Sequence, residues 1–187
     1  MNKKLAVLFP GIGYHNDKPL MYYTKKIAAS YDYEIVELTY DLSSVASSIK
    51  GNEEKTKQAL DEAFEQINEK LKGVKFEDYE RVIFVGKSIG TAIMARFAFT
   101  YELDVDMIIF TPIPETFSYL GPCEGLLFHG ASDPYCDTDM CVQLCDEMSL
   151  TYAVIPEANH SLETGDVEKD IFNLSKVMSA VDKIFKI

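Results

Sequence analysis

Between Val82 and Phe99 the chain passes from an apolar run directly into Gly86-Lys87-Ser88-Ile89-Gly90 and on into a stretch that is apolar almost all round apart from Thr91 and Arg96. A run such as Val82–Val85, with no polar alternation, reads as a strand covered on both faces. The following stretch reads as a helix buried against a sheet. Glycine weakens both kinds of element, so two glycines bracketing a serine at this junction need a physical reason. Steric crowding supplies it. A sharp strand-to-helix turn forces the serine into a strained backbone conformation, and the flanking positions must lack side chains for strand and helix to pass closely. The serine hydroxyl then stands above the sheet at a helix N-terminus, where partial positive charge favours an oxyanion.

Five further apolar runs punctuate the sequence: Leu5–Phe9, Glu34–Leu38, Met107–Phe110, Leu126–Phe128 and Tyr152–Ile155. Helical patterns lie between them. Residues 53–72 place Leu60, Ala63, Phe64, Ile67 and Leu71 on one stripe, with Asn52 as N-cap and Gly73 past the end. Residues 167–185 place Val167, Ile171, Leu174, Met178, Val181 and Phe185 on one face expected to be buried, entered through Asp166. Strand and helix alternate, with a shorter connection from Phe110 to Leu126. That order implies a mainly parallel six-stranded sheet with right-handed crossovers and helices on both faces. No repeat, low-complexity tract or linker interrupts it, so residues 1–187 are expected to form a single α/β domain.

Composition narrows the function. With 18 Lys+Arg against 30 Asp+Glu the net charge is −12, which argues against binding nucleic acid or an anionic membrane. The start, Met1-Asn2-Lys3-Lys4, resembles the charged end of a signal peptide. The apolar stretch after it stops at Pro10-Gly11, short of a secretory core, and a cytoplasmic protein is expected. Four cysteines, Cys123, Cys136, Cys141 and Cys145, are then expected to be free thiols. Zinc is the sharper alternative, since Cys141 and Cys145 lie four apart on a helical segment. No C-x-x-C pair or suitably spaced histidine accompanies them, and no metal or cofactor is expected.

A serine nucleophile needs a base, and the base needs an acid to orient it. Of three histidines, His15 precedes Ser88, and His129 comes too early to follow a carboxylate on its own strand's loop. His160 follows the last strand on a loop at the carboxyl edge of the sheet, the edge that Ser88 occupies. An isolated loop histidine is ordinarily just solvated; position and order single this one out. Between the two lies Asp133, in a Ser-Asp-Pro turn after the penultimate strand, where turn formation and catalysis are compatible roles. Asp137 and Asp139 are alternatives that helix capping already explains. Lys87 is expected to face solvent.

G-x-S-x-G occurs by composition alone in a chain of this length with a probability of about a few per cent. Its setting between a buried strand and a buried helix gives it weight. Together with His129-Gly130, Asp133 and His160, the chain resembles the α/β-hydrolase superfamily over nearly its whole length, in particular its small dienelactone-hydrolase-like branch. Phe9-Pro10-Gly11-Ile12-Gly13 is similar to the family's H-G-x-G oxyanion loop, with Pro10 in place of the histidine. The resemblance implies a Ser88-Asp133-His160 triad and an oxyanion hole of the Ile12 and Ile89 backbone N–H groups. It also implies that no cap domain is present, the usual lid segment shrinking to Thr111–Gly121. Tyr14, His15, Phe117 and Tyr119 are candidate substrate contacts. The activity so implied is hydrolysis of small esters or thioesters. Its alternatives are a non-catalytic interaction protein on the same fold, and a peptidase or acyltransferase using the same triad. The partner implied is a small acyl substrate, and exposed helix faces or an edge strand offer surfaces for a homodimer.

Overall fold

Every apolar run read from the sequence is a strand, and all six strands pair in parallel. The computed structural model describes residues 3–43, 49–121 and 125–186, so Cys123 lies outside the described residues. The strands are β1 (Lys3–Phe9), β2 (Glu34–Glu37), β3 (Tyr79–Ser88), β4 (Asp106–Pro112), β5 (Gly125–Gly130) and β6 (Thr151–Ile155). Their order across the sheet is β2-β1-β3-β4-β5-β6. The helices are α1 (Pro19–Ser30), α2 (Glu53–Leu71), α3 (Ile89–Thr100), α4 (Thr138–Glu147) and α5 (Val167–Lys186).

Side chains alternate across the sheet and sort the core into two layers. Leu5, Val7, Phe9, Phe84, Ile109 and Leu127 point to one side, where α2, α3 and α4 cover them. Ala6, Leu8, Ile83, Val85, Ile108 and Phe128 point to the other, under α1 and α5. Asn52 caps α2 by accepting from the Lys55 N–H. Asp166 does the same for α5 through the N–H groups of Glu168 and Lys169. Between β4 and β5 the described residues hold one 3-10 turn, Pro114–Ser118, and no cap domain.

Two expectations need correction. Lys87 does not face solvent; it is 1% exposed. Lys87 is two residues beyond Val85 on β3, so its side chain points to the α1/α5 face, and a sheet covered on both sides offers no solvent-facing position there. The buried stripe of α5 also fails in its first turns. Val177, Val181 and Phe185 are buried, yet Val167 is 71% and Ile171 64% exposed. Their helical period is intact, but among the described residues no element covers this end of the helix. Helix α1 carried no clear periodic signal, because its buried face (Leu20, Met21, Thr24, Ala28) includes a threonine and Lys18 gives no side-chain cap.

Candidate active site

Parallel strands bring all their carboxyl ends to one edge, and the loops leaving that edge assemble the site. At the end of β3 the backbone of Ser88 has φ 56° and ψ −126°, a left-handed strain for a residue with a side chain. The glycines around it are sterically required. A Cβ on Gly86 would lie 2.6 Å from Met94 Sδ and 2.9 Å from Thr91 Cα. One on Gly90 would run into the Phe9 carbonyl and lie 2.6 Å from Pro10 O. Thr91 steadies the turn: its hydroxyl donates to the Ser88 carbonyl at 2.6 Å and pairs with Thr116 Oγ1 at 2.6 Å.

His160 Nε2 stands 2.7 Å from Ser88 Oγ, and His160 Nδ1 stands 2.7 Å from Asp133 Oδ2. A carboxylate only accepts, so Nδ1–H donates to Asp133. Nε2 is then left with its lone pair facing the serine hydroxyl. The second carboxylate oxygen, Oδ1, accepts from the Tyr135 N–H at 2.9 Å, closing the turn predicted at Asp133. The Asp133 side chain has no exposed surface, while that of His160 keeps 17%. The two loops are tied to each other, Ala131 N–H to Ile155 O at 3.0 Å and Ser132 N–H to Ala158 O at 2.8 Å. Asp133 and His160 therefore hold their spacing as one unit.

Burial lowers the His160 pKa below the usual histidine value. The hydrogen bond and charge of Asp133 push it up, and the Lys87 ammonium pushes it down. The net direction is downward, which keeps the imidazole neutral and able to accept a proton near pH 7.

The turn after β1 runs from Gly11 to Tyr14, whose N–H and C=O groups pair reciprocally at 3.1 and 3.2 Å. That pairing leaves the Ile12 N–H without a hydrogen-bond partner among the described residues. Gly11 abuts Ser88, since a Cβ there would lie 3.1 Å from Ser88 Cβ. Ile89 opens α3, where the first N–H groups have no intrahelical partner.

Of the other sequence candidates, Asp137 caps α4 by accepting from the Met140 N–H, and Asp139 sits in that helix's first turn. His15 is exposed and pairs with Asp17. Phe117 is buried in the core on the α2–α4 side, with Tyr119 packed against it. Tyr14 is nearly buried, and its hydroxyl accepts from the Leu20 N–H at 3.2 Å.

Sequence reasoning missed four supporting residues. Thr111, at the end of β4, donates its hydroxyl to the His160 carbonyl at 2.9 Å from a backbone with φ 42°. The Tyr135 ring lies against the imidazole, centroids 4.4 Å apart. His129 is fully buried behind Asp133; its Nε2 pairs with Thr138 Oγ1 at 3.0 Å, and Nδ1 is 3.9 Å from Asp133 Oδ2 with no hydrogen bond. Lys87 runs its stem past Gly11 and sets Nζ 5.0 Å from the centre of the Tyr14 ring. Burial lowers its pKa to about 7 against the opposing fields of Asp133 and Glu163. For Thr111, its place at the carboxyl end of a strand was the one available signal.

Cys136, Cys141 and Cys145 are buried free thiols. Among the described residues, no group of three His, Cys, Asp or Glu side chains is disposed to hold a metal ion, and no helix is long and apolar enough to cross a membrane.

No protein-family model matches the chain, and no curated protein matches its sequence. Solved structures do. The Butyrivibrio proteoclasticus protein Est1E with ferulic acid bound superposes with a TM-score of 0.69 at 12% identity, covering 98% of this chain and 88% of that one. An α/β serine hydrolase without lid from Xanthomonas campestris gives 0.61 at 15% identity over 98% and 83%. An α/β serine hydrolase homologue from Coxiella burnetii gives 0.56 at 11% identity over 97% and 84%. The chain has the α/β-hydrolase fold, and it is the fold that these likenesses show.

Proposed function

We propose that this α/β-hydrolase fold is a serine hydrolase that cleaves small esters or thioesters through an acyl-enzyme. The observation that carries the reading is the continuous chain Ser88 Oγ–His160–Asp133, both links 2.7 Å long, on a strained elbow. A base must lie within about 2.6–3.2 Å of the proton it takes, and a fold with no chemical task for these groups has no need of that alignment.

In this scheme Ser88 Oγ attacks the carbonyl carbon while its proton passes to His160 Nε2. The carbonyl electron pair moves onto oxygen, which the Ile12 and Ile89 N–H groups receive. Asp133 stabilises the imidazolium that forms and does not itself take the proton. The intermediate collapses, the bond from carbon to the leaving oxygen or sulfur breaks, and the leaving atom takes the proton from Nε2. Water then repeats the sequence on the acyl-serine, releasing the carboxylic acid and restoring Ser88. No metal or cofactor enters the scheme. Buried free thiols fit a reducing, cytoplasmic setting.

Replacing Ser88 by Ala tests the reading. Turnover of p-nitrophenyl acetate is expected to fall by about 10⁶-fold, and covalent labelling by a fluorophosphonate probe should vanish. Labelling that persists in the Ser88→Ala protein rejects Ser88 as the nucleophile.

A further inference from the structure

Helix α5 begins with apolar side chains that no described element covers, and they are not scattered. Val167, Ile171 and Leu174 form one wall of a cleft of about 430 Å³ whose other side is Tyr14, Leu20 and Leu162. That volume falls in the range of small-molecule sites. The inner residues are almost fully buried (Leu20 2%, Leu162 5%, Tyr14 9% exposed), so the cleft has an apolar floor as well as an apolar rim. Its loop wall is held in place. The Asp170 carboxylate accepts from the Thr164 N–H, the Thr164 hydroxyl and the Gly165 N–H. Leu162 sits at φ 60°, a conformation that a bulky residue avoids. It is kept there by its N–H to Asn159 O at 2.9 Å and by the Asn159 N–H to Glu163 O at 2.8 Å. A strained residue fixed by its surroundings is a mark of functional loops.

The cleft is walled in part by residues of the two loops that carry His160 and Ile12. Leu162 is two residues from His160 and Tyr14 two residues from Ile12, and two residues of chain span at most about 7 Å. In the tetrahedral intermediate the oxyanion points to the Ile12 and Ile89 N–H groups. The leaving atom must lie against His160 Nε2, because that nitrogen supplies its proton. Whatever is attached to the leaving atom therefore extends past His160 toward the loop that follows it, and that loop walls the cleft. The charged residues lining the cleft are Glu163 and Asp170, and among the described residues the one cation placed beside them, Lys87, is buried with Nζ 5.0 Å from the centre of the Tyr14 ring rather than among the lining residues. An anionic leaving group, such as a phosphate-bearing thiol, would be repelled there.

Resting on the serine-hydrolase reading, we propose that this cleft binds the alkyl portion of an uncharged leaving alcohol, so that the substrates are esters of linear aliphatic alcohols. Selectivity then lies on the alcohol side of the ester bond.

The test compares methyl, butyl and hexyl acetate with the methyl esters of pentanoic and heptanoic acid, which lengthen the acyl chain by the same three and five carbons. Each buried methylene is worth about three- to fourfold in kcat/KM. The rise from methyl to butyl acetate is thus expected to be about thirty- to sixtyfold, and it should exceed the response to an equal lengthening of the acyl chain. Ile171→Glu places a charge on the exposed wall of the cleft and should flatten the rise. Phe172→Glu, at an equally exposed position outside the cleft lining, should keep it. Equal turnover of all three acetates, a steeper response to acyl length, or an unchanged series in Ile171→Glu overturns the proposal and leaves the hydrolase reading standing. A wild-type protein that takes no fluorophosphonate and turns over no ester defeats both.

Discussion

In the proposed scheme His160 deprotonates Ser88, which it can do only while it is itself neutral, so the charges around it would set the working pH. Burial is the largest influence and lowers its pKa; Asp133 opposes this, and Lys87 reinforces it. Activity is therefore expected to rise with pH through a midpoint below the ordinary histidine value of about 6.5, read from the pH profile of kcat/KM on an activated ester. Lys87→Met removes the buried ammonium, and the midpoint should move up. Asp133→Asn should move it down while cutting kcat. A midpoint that stays put in Lys87→Met would mean that the ammonium is not felt at the imidazole. Stability carries a second signature. The folded-state pKa of Lys87 is about 7, below its unfolded value, so the unfolded chain binds the extra proton over that interval. Wild-type stability relative to Lys87→Met should accordingly increase as pH rises from about 7 toward the ordinary lysine value. Ser88, Asp133 and His160 were legible in the sequence because chain order and strand ends fix which loops can meet. The burial of Lys87 was not. It depends on how far β3 runs before the turn, and an apolar run that ends at Val85 does not reveal that the strand continues to Ser88.

The elbow is a junction between elements, and its two glycines are constrained by different neighbours. At Gly90 an added methyl meets the carbonyls of Phe9 and Pro10, backbone atoms of the segment leading into the Gly11–Tyr14 turn. At Gly86 the first atom met is the thioether of Met94, the flexible end of a side chain, with Thr91 Cα behind it. Gly90→Ala should therefore be the more damaging, at about 1–3 kcal/mol as an overpacked site, and should also slow fluorophosphonate labelling by displacing the turn that carries Ile12. Urea unfolding midpoints and labelling rates measure the two effects. Equal losses at the two glycines would mean that the Phe9–Pro10 backbone yields as easily as a methionine. Among the helices, α2 was legible because period, cap and stop agree. The first turns of α5 were misread for the opposite reason: periodicity reports which residues share a face, but not whether another element lies against it.

Across the whole molecule, the candidate site and a fastening cluster occupy opposite edges of the sheet. The carboxyl edge carries Ser88, Asp133 and His160, with strained backbone at Ser88, Thr111 and Leu162. The amino edge is tied by Arg81 near the start of β3. Its guanidinium contacts Asp106 Oδ2 at 2.6 and 2.7 Å and donates to the Ile184 carbonyl at 2.7 Å, joining β3, β4 and the end of α5. Both partners of the ion pair are about one-fifth exposed, so the charges are only partly screened. Arg81→Met keeps much of the stem's packing but leaves Asp106 without its partner and the α5 carbonyl without a donor. Hydrogen bonds to charged groups are worth about 1.5–3 kcal/mol. A loss of about 2 kcal/mol in a chain of this size lowers Tm by about 4–8 °C. Because no residue of the site contacts this cluster, kcat/KM and the rate of fluorophosphonate labelling at 25 °C should stay at wild-type values while Tm falls. A labelling rate that drops with Tm would show that the two edges communicate through the sheet, and the strained carboxyl edge would then depend on the amino edge for its geometry.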